Sequence, residues 1–71
     1  MTGILVQYGD RPDILFENGT LYGGLHCGEC FAIFLDQWIR VRLEYADGWV
    51  LISNGVYRLL PLGCPVRMVN Y

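Results

Sequence analysis

Lysine is absent, histidine occurs once, and charged residues make up only 17% of the sequence. With a net charge of -2 there is no general basic field to attract a phosphate backbone, which excludes non-specific nucleic-acid binding. All five basic residues are arginines (Arg11, Arg40, Arg42, Arg58 and Arg67), and a guanidinium suits planar, bidentate contacts with carboxylates or phosphates. No apolar run approaches the ~18 residues of a membrane helix, so no membrane partner is expected. The first residues, MTGILVQYGDRPDILF, lack a basic stretch followed by a long apolar one, so no secretory leader is expected. Three cysteines are an odd set for a secreted disulfide scaffold. A cytoplasmic protein with free or metal-bound thiols is expected.

What is present is apolar. Hydrophobic residues make up 54% of 71 residues, which excludes a disordered segment. A chain of this size buries only roughly 60% of its unfolded surface, so some apolar surface must stay exposed or be covered by a partner.

Turn signals punctuate short β-rich runs throughout. Residues 3–8, GILVQY, precede Gly9-Asp10 and Arg11-Pro12, read together as a turn. Ile14 to Glu17 form a second strand before Asn18-Gly19, which predicts a type I′ hairpin. Gly23, Gly24 and Gly28 mark a bent connection. Residues 30–45 break at Asp36-Gln37 into two strands. In the second, Ile39, Val41, Leu43 and Tyr45 alternate with Trp38, Arg40, Arg42 and Glu44, so one face is apolar and the other charged. Ala46-Asp47-Gly48 and Asn54-Gly55 are further turns flanking the strand WVLIS. VYRLLPLG then reads as a short strand or a 3₁₀ turn. CPVRMV closes the pattern, with Val66 and Met68 opposed to Arg67 and Val69. About six short strands and no required helix predict one small all-β barrel domain over residues 1–71.

The run LHCGECFAIFLDQWIRVRLEYADGWVLI, with LGCPVRMV after it, resembles an uncharacterised family of short proteins from Gram-positive bacteria, domain of unknown function 5348. The shared pattern is Leu25, Cys27, Gly28, Trp38, Arg42, Glu44, Trp49, Gly63, Val66 and Arg67, within roughly residues 20 to 69. The resemblance implies an SH3-like barrel of five to six antiparallel strands, found on plasmids, integrative elements and prophages. It implies no activity and no catalytic residue. The chain departs from the family at Asn54 to Tyr57, where a more polar loop is expected, and at Cys30, where cysteine is atypical.

Cys27-x-x-Cys30 has zinc-ligand spacing, and Cys64 and His26 could complete a Cys₃His set. His26 and Cys27 are adjacent, however, and adjacent side chains of an extended segment point to opposite faces. The expected reading is a structural corner: Cys27 buried, Gly28 permitting the bend, Cys30 opening a strand and His26 at the surface. Neither a metal nor a cofactor is expected. A redox pair lacks the helix N-terminus that activates one. Gly23-Gly24 lacks the residues of a phosphate loop, and no paired carboxylates or nucleophile–histidine–acid set can be placed. A non-enzymatic protein is expected.

The binding candidates are Trp38, Arg40, Arg42, Tyr45 and Tyr57. Tryptophan on the polar side of an amphipathic strand is either folded under a loop or a contact residue, and Trp and Arg dominate interface hot spots. Tyr22 and Trp49 could extend the patch, although Trp49 fits a core position equally well. The expected function is an interaction module accessory to a mobile element or prophage, binding a protein partner or forming a homo-oligomer. The alternatives are a counter-defence protein, acting as an anti-CRISPR-type nuclease inhibitor or a sponge for nucleotide signals, and a zinc-stabilised structural module.

Overall fold

Alternating side chains and tight turns assemble one seven-stranded antiparallel sheet in the computed structural model, which describes residues 2–68. The strands are β1 (Thr2–Tyr8), β2 (Arg11–Phe16), β3 (Cys30–Phe34), β4 (Trp38–Tyr45), β5 (Trp49–Ser53), β6 (Val56–Leu59) and β7 (Pro65–Arg67). Their order is β2-β1-β7-β3-β4-β5-β6. The expected five to six strands become seven because the segment after Asn54-Gly55 pairs with β5, while three residues of the closing segment slot between β1 and β3.

Two of the expected turns differ in detail. Arg11 and Pro12 belong to β2, opposite Tyr8 and Gln7, and only Gly9-Asp10 turns the chain. Proline is tolerated there because its carbonyl accepts the Leu25 N–H at 3.0 Å, so its peptide groups point away from β1 and no β1 ladder bond is lost. At Asn18-Gly19 only the glycine has positive φ, at 85°. Asn18 Oδ1 instead accepts from the Thr20 N–H at 3.1 Å, and the Gly19 N–H reaches Phe16 O at 3.0 Å. The connection is therefore a three-residue turn with glycine in the left-handed position, not type I′. Asn54-Gly55, with φ of 52° and 76°, is the type I′ hairpin.

The inward residues of six strands converge on one core. Leu5, Ile14, Phe31, Ile33, Val41, Leu43, Leu51 and Val66 are buried there together with Leu25 from the β2–β3 connection. A sheet whose edge strands are β2 and β6 shares one core only by curling. The curl is fastened where the Trp49 indole N–H donates to Asp10 O at 3.0 Å, with the Arg11 guanidinium 5.4 Å from the Trp49 ring centre. Trp49 thus ties the β1–β2 turn to the start of β5 and packs on the core. The result is a small barrel-like fold with a radius of gyration of 11.1 Å. Val66 is inward and Arg67 outward, as the alternation predicts; Val69 lies outside the described residues.

The β2 edge is covered. After the Asn18-Gly19 turn the chain runs back along it, with a bridge between Leu15 and Leu21 and a bond from Tyr22 N–H to Ile14 O at 2.9 Å. Asp13 is buried beneath this return segment, and its carboxylate accepts the Gly23 N–H at 3.1 Å.

Candidate interaction face

Residues directly opposite on neighbouring strands share a face, so the register defines the outer surface of β7, β3 and β4. Trp38 faces Phe34, Arg40 faces Ala32 and Arg42 faces Cys30 on β3, while Arg67 of β7 faces Ala32 from the other side. Arg40 and Arg67 therefore flank Ala32, which points outward between them yet is buried. The Trp38 ring meets the Phe34 ring edge-on, centroids 5.4 Å apart. The Arg67 guanidinium lies over the Trp38 ring, 4.3 Å from its centre. Such a cation–π contact at a surface stabilises by about 0.5–1 kcal/mol.

Arg42 Nε lies 2.9 Å from Glu44 Oε2, two residues along the same face. Arg42 is exposed and Glu44 half-buried, and a pair so close to solvent contributes ~0–1 kcal/mol. Glu44 Oε1 also accepts from the Cys27 thiol at 2.9 Å. Cys27 is therefore exposed and bonded to a carboxylate, not buried as expected, because the corner swings it over the outer face of β4. The outward positions of β3, β4 and β7 carry three guanidinium groups, those of Arg40, Arg42 and Arg67, and one carboxylate, that of Glu44.

The corner itself forms as expected around Gly28, whose φ of 88° is open to glycine at no steric cost. Gly28 N–H donates to Leu43 O at 2.6 Å, and Leu43 N–H to Glu29 O at 2.9 Å, locking the corner onto β4. The Glu29 carboxylate gathers the neighbourhood. It accepts the His26 backbone N–H at 2.9 Å, lies 3.6 Å from His26 Nδ1, and accepts the Tyr22 hydroxyl. That bond to Glu29, with some burial and the charges of Glu29 and Asp13, pushes the Tyr22 phenol above its ordinary value of 10.0. Cys30 opens β3, and Cys64 lies in the β6–β7 connection, packed on the core. Among the described residues no three or more of His, Cys, Asp and Glu group so as to hold a metal ion.

The structure thus brings together Trp38, Arg40 and Arg42 of the predicted binding residues. Tyr45 is elsewhere: it stands on the opposite face of β4 at the hairpin end, with its ring 5.0 Å from that of Trp49. Tyr57 is on the outer face but two strands away, on β6. Phe34 and Arg67 were missed. Their alternation with Ile33 and Val66 places them outward, but only the strand order puts β7 beside β3. Shallow depressions of about 400, 320 and 350 Å³ flank the β1–β2 hairpin, and none of these three is lined by Trp38, Arg40 or Arg42.

Fold and face together define a small all-β domain whose curled sheet carries an aromatic and arginine-rich outer surface. The chain belongs to the family described as Domain of unknown function (DUF5348), which it matches over residues 4–68. It is also similar to a protein from Ruminococcus gnavus whose crystal structure was determined by structural genomics. The two are 44% identical over 96% of this chain and 100% of that one, with a TM-score of 0.79. None of the curated proteins matches the chain. No helix among the described residues is long and apolar enough to cross a membrane.

Proposed function

We propose that this protein is a non-catalytic interaction module that binds a protein partner through the outer face of β7, β3 and β4. The observation that carries the reading is the stack of Arg67 over Trp38, with Phe34 at its side and Arg40 and Arg42 on the same face. A guanidinium held over a ring keeps N–H donors at its rim for bidentate contact with a carboxylate. Rigid aromatic groups beside it supply contact area at little entropic cost. The partner this chemistry fits presents acidic side chains around an apolar centre. Blocking a nuclease through its basic surface suits this arginine-rich face less well. Resemblance to SH3-like barrels, which bind through aromatic-lined grooves and sheet edges, supports the same class of function. Resemblance to short proteins of mobile elements and prophages supports an accessory, cytoplasmic role.

The test is co-purification from a native host with wild type, Trp38→Ala and Arg67→Ala. The expected result is a protein recovered with wild type in a salt-sensitive manner and lost with both variants, while their circular dichroism spectra match wild type. Recovery of the same proteins by all three would overturn the assignment of this face.

A further inference from the structure

The two edges of the sheet are not alike. The β2 edge is covered by the return segment and carries Pro12, whereas β6 carries no proline, lysine or bulge of the kind that blunts exposed edges. All four of its residues are exposed, with Val56, Tyr57 and Leu59 at 54%, 63% and 85%. The two-residue Asn54-Gly55 turn makes Ser53 and Val56 the closing hydrogen-bonded pair of the hairpin. Bonding then alternates, so Val56 and Arg58 direct their peptide groups to β5 while Tyr57 and Leu59 direct theirs away from the sheet. Among the described residues, no backbone bond from a turn or connection reaches either of those two.

We infer that β6 is the seam of a twofold homodimer, pairing antiparallel with the β6 of a second copy in a register centred on Tyr57. The outward peptide groups require the axis to pass through a residue rather than between two, and the side chains select which residue. A twofold axis through Tyr57 makes Tyr57 and the partner's Tyr57 a bonded pair, with both rings on the outer face. It sets Leu59 against the partner's Gly55, where no other atom lies within 4 Å of the position a Cβ would occupy. Arg58, the only charge on the strand, then meets the partner's Val56. Shifting the axis to Arg58 would still pair outward groups, Tyr57 with the partner's Leu59, but it would set two guanidinium groups directly opposite as a closely spaced non-bonded pair. A strand that accepts its own copy without a like-charge clash, and with space opposite its most exposed leucine, is self-complementary in the sense a closed dimer requires. This seam is separate from the Trp38 face, so either assignment can fail alone.

Light scattering on the full chain should give a dimer mass at high concentration, with a melting temperature that rises with concentration. Leu59→Lys, at a position too exposed to carry core packing, should weaken dimerisation by roughly tenfold or more. Trp38→Ala should leave it unchanged. Under mild oxidation Tyr57→Cys should cross-link, because a bonded pair places the two Cα atoms about 5.5 Å apart, within disulfide reach. Leu59→Cys should show only the wild-type background of Cys27, Cys30 and Cys64. A wild-type monomer at every concentration would overturn the proposal. So would a dimer insensitive to Leu59→Lys, equal cross-linking at positions 57 and 59, or a monomer whose β6 pairs with a strand of another protein.

Discussion

A methyl group at position 3 has nowhere to go. A Cβ on Gly3 would lie 2.5 Å from the Leu15 carbonyl oxygen and 2.8 Å from Ile14 Cγ2, so β1 and β2 would have to part. Gly3→Ala should destabilise the protein by about 1–3 kcal/mol, as overpacking does. Thermal denaturation beside Thr2→Ala, a neighbour on the exposed face, checks this. Cys64 illustrates a different constraint. Burial pushes its thiol above the ordinary 9.0, against the lowering effect of a backbone hydrogen bond. Its neutral form is favoured by folding, so that contribution is complete below pH 9 and fades as pH rises through the folded-state value. Tyr22, raised chiefly by its bond to Glu29, acts in the same direction. Stability should therefore fall as the solution turns alkaline. A thiolate-directed reagent at mildly alkaline pH should label Cys64 after the exposed Cys27, which mass spectrometry of partly labelled protein would show. Faster labelling of Cys64 would contradict its packing.

At the scale of the element, β4 organises the molecule. It presents Val41 and Leu43 to the core and Arg40 and Arg42 to the exterior, with Ile39 partly buried against the core. Leu43 has no exposed surface, and its backbone also holds the Gly28 corner through two bonds. Leu43→Ala should cost about 2–5 kcal/mol, a large share of the stability of so small a domain. An unchanged melting temperature would mean that the strand faces are reversed. Tyr45 shares the inward parity of Leu43 but is 61% exposed, because the strand ends there and its ring meets the edge of Trp49 at the hairpin end. Alternation states which way a side chain points, and burial depends on what the fold places in front of it.

At the scale of the whole molecule, sheet order decides which surfaces exist. Inserting β7 between β1 and β3 carries Arg67 to Trp38 from a segment nearly thirty residues away in sequence. The same order leaves β2 and β6 as the two ends. The Trp49 bond to Asp10 draws the β1–β2 turn onto the start of β5, yet among the described residues the four of β6 stay exposed. An excess of apolar residues over what one core can hide thus becomes concrete as the outward side chains of Phe34, Tyr57 and Leu59.

The sequence alone determined the all-β class, the hairpins at Asp47-Gly48 and Asn54-Gly55, the two faces of β4 and the corner at Gly28. All of these rest on local rules: a side-chain period of two, and turns that need positive φ. Tertiary structure decided what depends on distant segments meeting. It exposed Cys27 by setting it against Glu44, and it buried Asp13 beneath the return segment. It assigned Trp49 to the closure of the curl and to the core, and it separated Tyr45 and Tyr57 from Trp38 while bringing Arg67 and Phe34 to it. The physical reason is that strand pairing is non-local: neighbours across a sheet are chosen by register and shared burial, neither of which a single strand's composition specifies.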